Sequence, residues 1–488
     1  MKELAELMLK NNKSGLAPRV AVIGGGVAGA TAALHMAELG VQVRLIEKRD
    51  SLVNGPPICH LHAGGNLYRE ISLQQCIELL HQSIDIVRLF PHTLNERPTI
   101  IATPLSDGGE PNELLERLNT IKTAYKDLVE LDSANKVLGE PSSYFKTYSR
   151  SEIEALIGLD QPERPSTFDD WMIPFASGAD LDALKYPVIA VQEYGWSVFR
   201  LAASATLAFE SLSNCSLHFN TSLIKAVRNN EVWELTTKDS DGNQSTFHAD
   251  YLVNACGYLT GTLDDMVEKP RNRLVEFKAA YVSHWDTEQQ YWPEVIFHGE
   301  RGTPKGMAQL TPYPNGVFQL HGMTKDITLF ENGLVSSTGQ SSQPVLPSHL
   351  KRKINLGWTE QVANERTGKA IAHMSQMIPD YASATPLGTP LFGAQQIPGQ
   401  DDTLRSADVT FEKDDYARVE VVKGSSALEA ARKMVSTWKL YQYSSESIEE
   451  LHPVTLKLTA QEIESRAEEL ATQRGYPKEL AKFYPERI

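Results

Sequence analysis

Residues 19–47 read RVAVIGGGVAGATAALHMAELGVQVRLIE, and no other stretch narrows the possible folds so far. The β-branched run 19–23 stops at three glycines, which predicts a strand followed by a tight turn. Gly24, Gly26 and Gly29 satisfy G-x-G-x-x-G, and Ala33 is small enough to let the next helix lie close on a sheet. Gly24 makes the turn, Gly26 admits a diphosphate to the backbone, and Gly29 clears space between helix and strand. The helix start at Val27 and Ala28 offers unpaired N–H groups and a partial positive charge to phosphates. A second apolar strand, 41–46, closes on Glu47, 23 residues after Gly24, with Lys48 next. A carboxylate there accepts ribose hydroxyls and repels a 2′-phosphate, so the unit suits NAD or FAD rather than NADP.

At 488 residues the chain holds about three domain-equivalents of roughly 150 residues, best arranged as two large interleaved units. Hydrophobic residues make up 41% and charged residues 22%, the balance of a folded globular protein. The net charge of −15 repels phosphate backbones and anionic headgroups, so nucleic acid is not expected as a partner. Cys59, Cys76, Cys215 and Cys256 are scattered without a C-x-x-C, which predicts neither disulfides nor a metal site and suits a reducing, cytoplasmic setting. The first 18 residues read as a short surface helix rather than a signal peptide, and no apolar run is long enough for a transmembrane segment.

Residues 51–71 form a Gly/Pro-rich loop that gathers His60, His62, Gly64 and Gly65. Ser72 caps a helix, with Gln75 three residues on and Pro91 as its stop. Residues 92–190 look irregular and partly helical, with a capping box at Ser149 and Glu152, and belong to a second domain. A helix is expected near 197–212, then strands near 217–219, 232–237 and 251–254. The last strand ends in Asn254-Ala255-Cys256-Gly257, small groups that permit a second close approach to the same ligand. Between 270 and 335 the pattern alternates as in an antiparallel sheet, with strands at 276–285, 294–298, 305–311 and 317–323 and a turn at Pro314-Asn315-Gly316. Residues 345–378 look helical and 385–424 strand-like, before Lys423-Gly424-Ser425-Ser426-Ala427 enters a late helix. The tail from 444 carries a capping box at Thr459 and Glu462 and a stop at Gly475 and Pro477, and reads as a packing or partner helix.

This combination resembles the FAD-dependent oxidoreductases of the D-amino-acid oxidase type, the group that includes glycine and sarcosine oxidases and dimethylglycine dehydrogenase. The resemblance spans most of residues 19–440 and is most specific in the first unit. It implies an α/β fold class: a Rossmann-type, glutathione-reductase-like FAD-binding domain interleaved with an α+β substrate domain on an antiparallel sheet. The expected boundaries are 18–91, 192–268 and 380–443 for the FAD-binding domain, 92–191 and 269–379 for the substrate or cap domain, and 444–488 for a helical tail.

By carry-over, Gly24, Gly26, Gly29, Glu47 and Lys48 would hold the ADP half, Gly64 and Gly65 would approach the flavin, and Ala255 and Gly257 would flank the diphosphate. Lys423 and the turn Gly424, Ser425 and Ser426 would face the flavin N1/O2 edge and favour its reduction. His62 and Ala63 begin H-A-G-G, similar to the H-A-A-G of members whose histidine is bonded to the flavin. Whether His62 or His60 is so bonded, touches the flavin edge or is structural stays open at this stage.

The implied activity is oxidation of a small amine, amino acid or 2-hydroxyacid by hydride transfer to flavin N5. The electron acceptor is open between oxygen, a quinone and an electron-transfer protein. Candidate lining residues are His60, His62, Gln309, His321, Arg405 and Lys423, with His62, Arg405 and Lys423 the catalytic candidates and Arg405 a possible carboxylate clamp. The alternatives are an NAD-dependent dehydrogenase and a non-catalytic flavin-binding or redox-sensing protein. The first lacks a repeated parallel unit after Glu47; the second is not excluded by sequence.

Overall fold

The computed structural model describes residues 17–58, 61, 69, 71–287, 291–442 and 447–486. The glycine-marked unit forms strand β1 (Arg19–Ile23), helix α1 (Val27–Glu38) and strand β2 (Gln42–Ile46). β1 and β2 are parallel, from Arg19 opposite Gln42 to Ile23 opposite Ile46. Later strands complete the sheet: β3 (Cys215–His218) joins β2, β4 (Tyr251–Asn254) joins β1, and β5 (Val409–Glu412) and β6 (Tyr416–Val419) extend beyond β4. The order is β5-β6-β4-β1-β2-β3, parallel except for β5.

A parallel sheet must be covered on both faces. On one face lie α1 and the helices Leu73–Leu89, Val198–Glu210 and Ala427–Thr437, whose apolar residues share one core. The other carries a three-stranded meander, Thr221–Asn229, Val232–Asp239 and Gln244–Ala249, whose Trp233 and Leu235 pack with Ala21, Leu252 and Tyr416.

The second sheet has ten strands and runs Leu334–Ser336, Arg273–His284, Val317–Gly322, Ala308–Pro312, Glu294–Phe297, Thr99–Pro104, Leu184–Val191, Phe145–Tyr148; Leu391–Pro398 and Thr385–Pro386 also pair with Arg273–His284. The expectation of an antiparallel sheet needs one correction, because Glu294–Phe297 runs parallel to Thr99–Pro104. The region 92–190 also contributes three strands that its sequence does not announce. Thr99–Pro104 is buried throughout, so it lacks the alternation that marks a half-exposed strand.

One face of this sheet is apolar and packs under helices Phe168–Gly178 and Glu360–Met374, through Phe175, Leu310, Leu320 and Met374. The residues of opposite parity are polar yet buried: Glu294, Gln309, Thr311, Gln319 and His321. The two sheets meet at a buried ion cluster. Asp264, just past β4, pairs with Arg273 at the start of the long strand and with Arg418 on β6, and also accepts from the Tyr416 hydroxyl at 2.6 Å; Asp264 and both arginines are shielded from solvent.

The capping boxes at Ser149/Glu152 and Thr459/Glu462 form as expected. Ser72 caps its helix, but Gln75 turns away and accepts from the amides of Arg405 and Ser406 at 3.0 and 3.1 Å. Cys76, Cys215 and Cys256 are free thiols, and no metal-binding cluster occurs among the described residues. No described helix is long and apolar enough to cross a membrane. The expected N-terminal helix lies outside the described residues.

Candidate functional site

The carboxyl ends of β1, β2 and β4 converge on a cleft of about 1450 Å³, counted with its open mouth. Parallel sheets place ligands at such strand ends because the loops there diverge. Its floor is backbone. Gly24 has φ +101°, and a Cβ on it would stand 2.3 Å from the Ala255 carbonyl oxygen. A Cβ on Gly29 would come within 1.8 Å of the Gly24 oxygen, so helix α1 can press against the turn only as it is. At Gly26 the opposite holds: a Cβ there would meet nothing within 4 Å, and Gly26 lines the cleft. Helix α1 begins at this point without a side-chain cap and without an acid in its first turn, leaving its positive end to an external anion.

Glu47 is 8% exposed and lines the same cleft. Its oxygens accept from the amides of Gly25 at 2.6 Å and Arg49 at 2.9 Å. These bonds fix the carboxylate at the lip while leaving acceptor capacity for a sugar hydroxyl. Lys48 stands over the Tyr258 ring at 5.6 Å, and burial together with the Arg49 charge lowers its pKa. Cys256 donates to the Ile23 carbonyl at 3.4 Å, and burial pushes its thiol up to about 12, which disfavours the thiolate. Ala255 and Gly257 complete this wall.

The pattern of close backbone contacts at Gly24 and Gly29, open space at Gly26 and a carboxylate at the neighbouring strand end fits an adenine dinucleotide. The residues expected to hold the ADP half are brought together, with Val27 and Ala28 forming the helix start behind the lip. Ala63, Gly64, Gly65, His60 and His62 lie outside the described residues.

The late turn is placed differently from the cleft wall. Gly424 packs against Trp196 and Val27, where a Cβ would meet the Trp196 ring at 2.6 Å. Ser425 and Ser426 are buried, and the Ser426 hydroxyl donates to the Gln82 side chain at 2.5 Å. Lys423 caps this turn through its backbone. The turn therefore abuts the start of α1 and does not line the described cleft.

Sequence reasoning missed the opposite wall. Strand Leu391–Pro398 brings Phe392, Gly393 and Ala394 to the cleft, and Tyr476 reaches it from the C-terminal segment. Gly393 pairs with Lys278, and Gln395 with Glu276, on the long strand. Lys278 bonds Glu276 at 2.7 Å, and Arg301 bonds the same carboxylate from the hairpin before Ala308–Pro312. Burial works against the charge on Glu276, but Lys278 and Arg301 still hold its carboxyl below the usual range; burial lowers Lys278. Arg405 acts electrostatically on both, although its guanidinium also donates to the Asp402 and Leu404 carbonyls at 2.7 and 2.8 Å.

This cationic cluster shares a face with Gln319 and Thr311, since Val282, of the same parity as Lys278, pairs with Gln319. Thr311 Oγ1, Gln319 Nε2 and His298 Nε2 are buried without a hydrogen-bond partner among the described residues. Buried polar atoms left open in this way mark a surface built for a polar guest or for water. His298 receives Arg69 on Nδ1 at 3.1 Å, and burial drives its pKa down to about 4. Gln309 is committed to Glu294, and His321 is buried beside it.

Residues 19–106 match the family of FAD dependent oxidoreductases designated DAO. The fold is similar to that of glycine oxidase from Geobacillus kaustophilus, at TM-score 0.54 and 14% identity over 91% of this chain and 100% of that one. It is also similar to L-amino acid deaminase from Proteus vulgaris, at TM-score 0.56 and 11% identity over 87% and 93%. A third is L-alpha-glycerophosphate oxidase from Mycoplasma pneumoniae with FAD bound, at TM-score 0.52 and 13% identity over 88% and 97%. No curated protein sequence matches the chain.

Proposed function

From the premise that this chain is built as an FAD-dependent oxidoreductase of the D-amino-acid oxidase type, we propose that it oxidises a small amino acid or N-substituted amino acid. The observation that supports a carboxylate-bearing substrate is the pairing of two cations, Lys278 and Arg301, with a single carboxylate, Glu276, beside the strand that lines the cofactor cleft. A partly buried surplus of positive charge is satisfied by an anion from outside. Glycine oxidase and L-amino acid deaminase, by their names, act on substrates of this class.

When bound, FAD would supply the two-electron acceptor for oxidation of the substrate carbon. The protein's own work is positional. Lys278 and Arg301 hold the carboxylate, the polar face around Gln319 and Thr311 orients the nitrogen end, and the packed sheet beneath excludes water. Gly24, Gly26, Gly29 and Glu47 hold the ADP half. In this reading Arg405 adds to the field around Glu276 and is not the sole clamp, Lys423 supports the turn beside α1, and His62 remains a candidate flavin contact. A 2-hydroxyacid satisfies the same anion site and differs only in the group oxidised.

The test is anaerobic mixing of the flavoprotein with amino acids, N-methylated amino acids, 2-hydroxyacids and the corresponding amines without a carboxylate. Carboxylate-bearing compounds should bleach the flavin, and their decarboxylated partners should not. Equal bleaching by both, or none by any, would overturn the proposal.

A further inference from the structure

The C-terminal segment 447–486 folds back over the nucleotide-binding half and is bound to it at several buried points. Near its start, His452 Nδ1 pairs with Glu38 at 2.7 Å and its Nε2 meets His35 Nδ1 at 3.0 Å. Glu38 also accepts from the amides of Val454 and Thr455 at 2.9 and 3.0 Å. These contacts fasten the segment to the last turn of α1. Helix Ala460–Gln473 then runs along helix Val198–Glu210 and stops at Gly475, φ +73°. Beyond the stop, Tyr484 is held as well: its amide donates to Asn95 at 3.1 Å, in the short ribbon Leu94–Asn95 with Gly195–Trp196, and its hydroxyl to the Trp292 carbonyl at 3.0 Å, just ahead of strand Glu294–Phe297.

Between these anchors Tyr476 lines the cofactor cleft, and Arg474 holds the loop beside it. Arg474 donates to the carbonyls of Val53 at 2.9 Å and Leu52 at 2.6 Å and to the Ser51 hydroxyl at 3.3 Å. That loop follows directly on Glu47, and Val53 is held at φ +55°, a conformation a β-branched residue adopts only when its surroundings impose it. The Val53 amide in turn donates to the Gly25 carbonyl at 2.7 Å, inside the glycine turn. Tyr476, two residues after Arg474, lines the cleft, its ring edge-on to Phe199 at 5.9 Å. An aromatic ring with a polar tip suits a ligand that is itself part apolar and part polar.

Resting on the FAD reading above, we propose that the C-terminal segment is a strap that completes the cofactor site. Tyr476 touches the bound dinucleotide, and Arg474 is a positioning residue that acts through the 51–53 loop and the glycine turn.

The test uses the full chain freed of flavin and titrated with FAD, with thermal unfolding recorded in its presence and absence. Tyr476→Ala gives up the ring contact with Phe199 and should lower the flavin-free melting temperature somewhat, which the flavin-free scan records. It should weaken FAD binding about tenfold or more and shrink the FAD-induced rise in melting temperature in proportion. Tyr476→Phe should restore most of the affinity, and Arg474→Met should weaken FAD as Tyr476→Ala does. Tyr476→Leu, which fills more of the space, decides the matter if the alanine variant does not fold. Parental affinity in Tyr476→Ala or Tyr476→Leu overturns the strap. Failure of the parent itself to bind FAD overturns the cofactor reading on which the strap depends, a result the variants cannot mimic.

Discussion

The cofactor cleft and the polar face of the second sheet adjoin, yet they are made from different materials. The cleft floor is main chain: glycines at fixed offsets, one helix start and a single carboxylate held by two amides. The polar face is side chains only, contributed by strands far apart in sequence, with Glu276 and Lys278 on one strand, Arg301 on a hairpin and Thr311 and Gln319 on two others. A site built from backbone is constrained by sterics and tolerates few alternatives. A site built from side chains can change its chemistry without changing the fold, which is how one scaffold comes to serve many substrates.

The seam between them offers the largest test. Asp264→Ala would remove the carboxylate shared by Arg273 and Arg418 in the interior, leaving Arg273 with Glu420 at 3.8 Å and Arg418 with Glu412 at 2.7 Å, and stability should fall by about 3–5 kcal/mol in urea unfolding. A loss below about 1 kcal/mol would mean that the two sheets are joined by apolar packing and not by this cluster.

A pH scan separates the two regions next. His298 is 7% exposed and its pKa lies near 4 in the fold against 6.5 for a free histidine, so the unfolded chain binds the proton more readily. Stability is therefore full above pH 6.5 and declines as pH falls toward 4, by about 3 kcal/mol at most. His298→Gln should flatten that part of the pH–stability curve relative to the parent. An unchanged slope would assign the acid sensitivity elsewhere.

The same contrast explains what could be read from the sequence. The strand–glycine–helix–strand–acid unit was legible because each of its residues answers a local steric or dipolar demand within 30 positions. Ala255 and Gly257 were legible as a strand exit of small groups. Helix starts at Ser149 and Thr459 were legible because a capping box is a four-residue event. Lys278, Arg301 and Glu276 were not, since their meeting depends on the register of the long strand against Leu391–Pro398, set by tertiary packing. Thr99–Pro104 escaped because full burial erases alternation, and its parallel pairing with Glu294–Phe297 joins segments almost two hundred residues apart. Tyr476 escaped because a helix stop looks the same whether it faces solvent or a ligand.

Smaller in free energy, but specific to the polar face, is the effect of Lys278→Met or Arg301→Met on turnover. On the proposed substrate reading each removes a charged contact to the carboxylate, which is worth about 1.5–3 kcal/mol, so KM should rise roughly tenfold or more with little change in flavin content. Arg405→Met should raise KM less than either, because its guanidinium is already bonded to its own loop. If Arg405→Met proves the most damaging of the three, the clamp belongs to Arg405 and the Lys278–Arg301 cluster is structural.

Gly26→Ala should disturb the fold least and is therefore the sharpest probe of the backbone-built half. A methyl group there meets no protein atom within 4 Å, so the stability of the flavin-free chain should fall by no more than about 1 kcal/mol, the cost of alanine in place of glycine at a helix N-cap. The space it enters is the space through which a diphosphate would approach the start of α1, so FAD affinity should nevertheless fall severalfold or more in a direct titration. A steric cost confined to the bound state separates a binding role from a structural one at this position. Unchanged affinity would mean that the diphosphate does not pass over Gly26, and would move the cofactor's central part toward the Ala255–Gly257 wall.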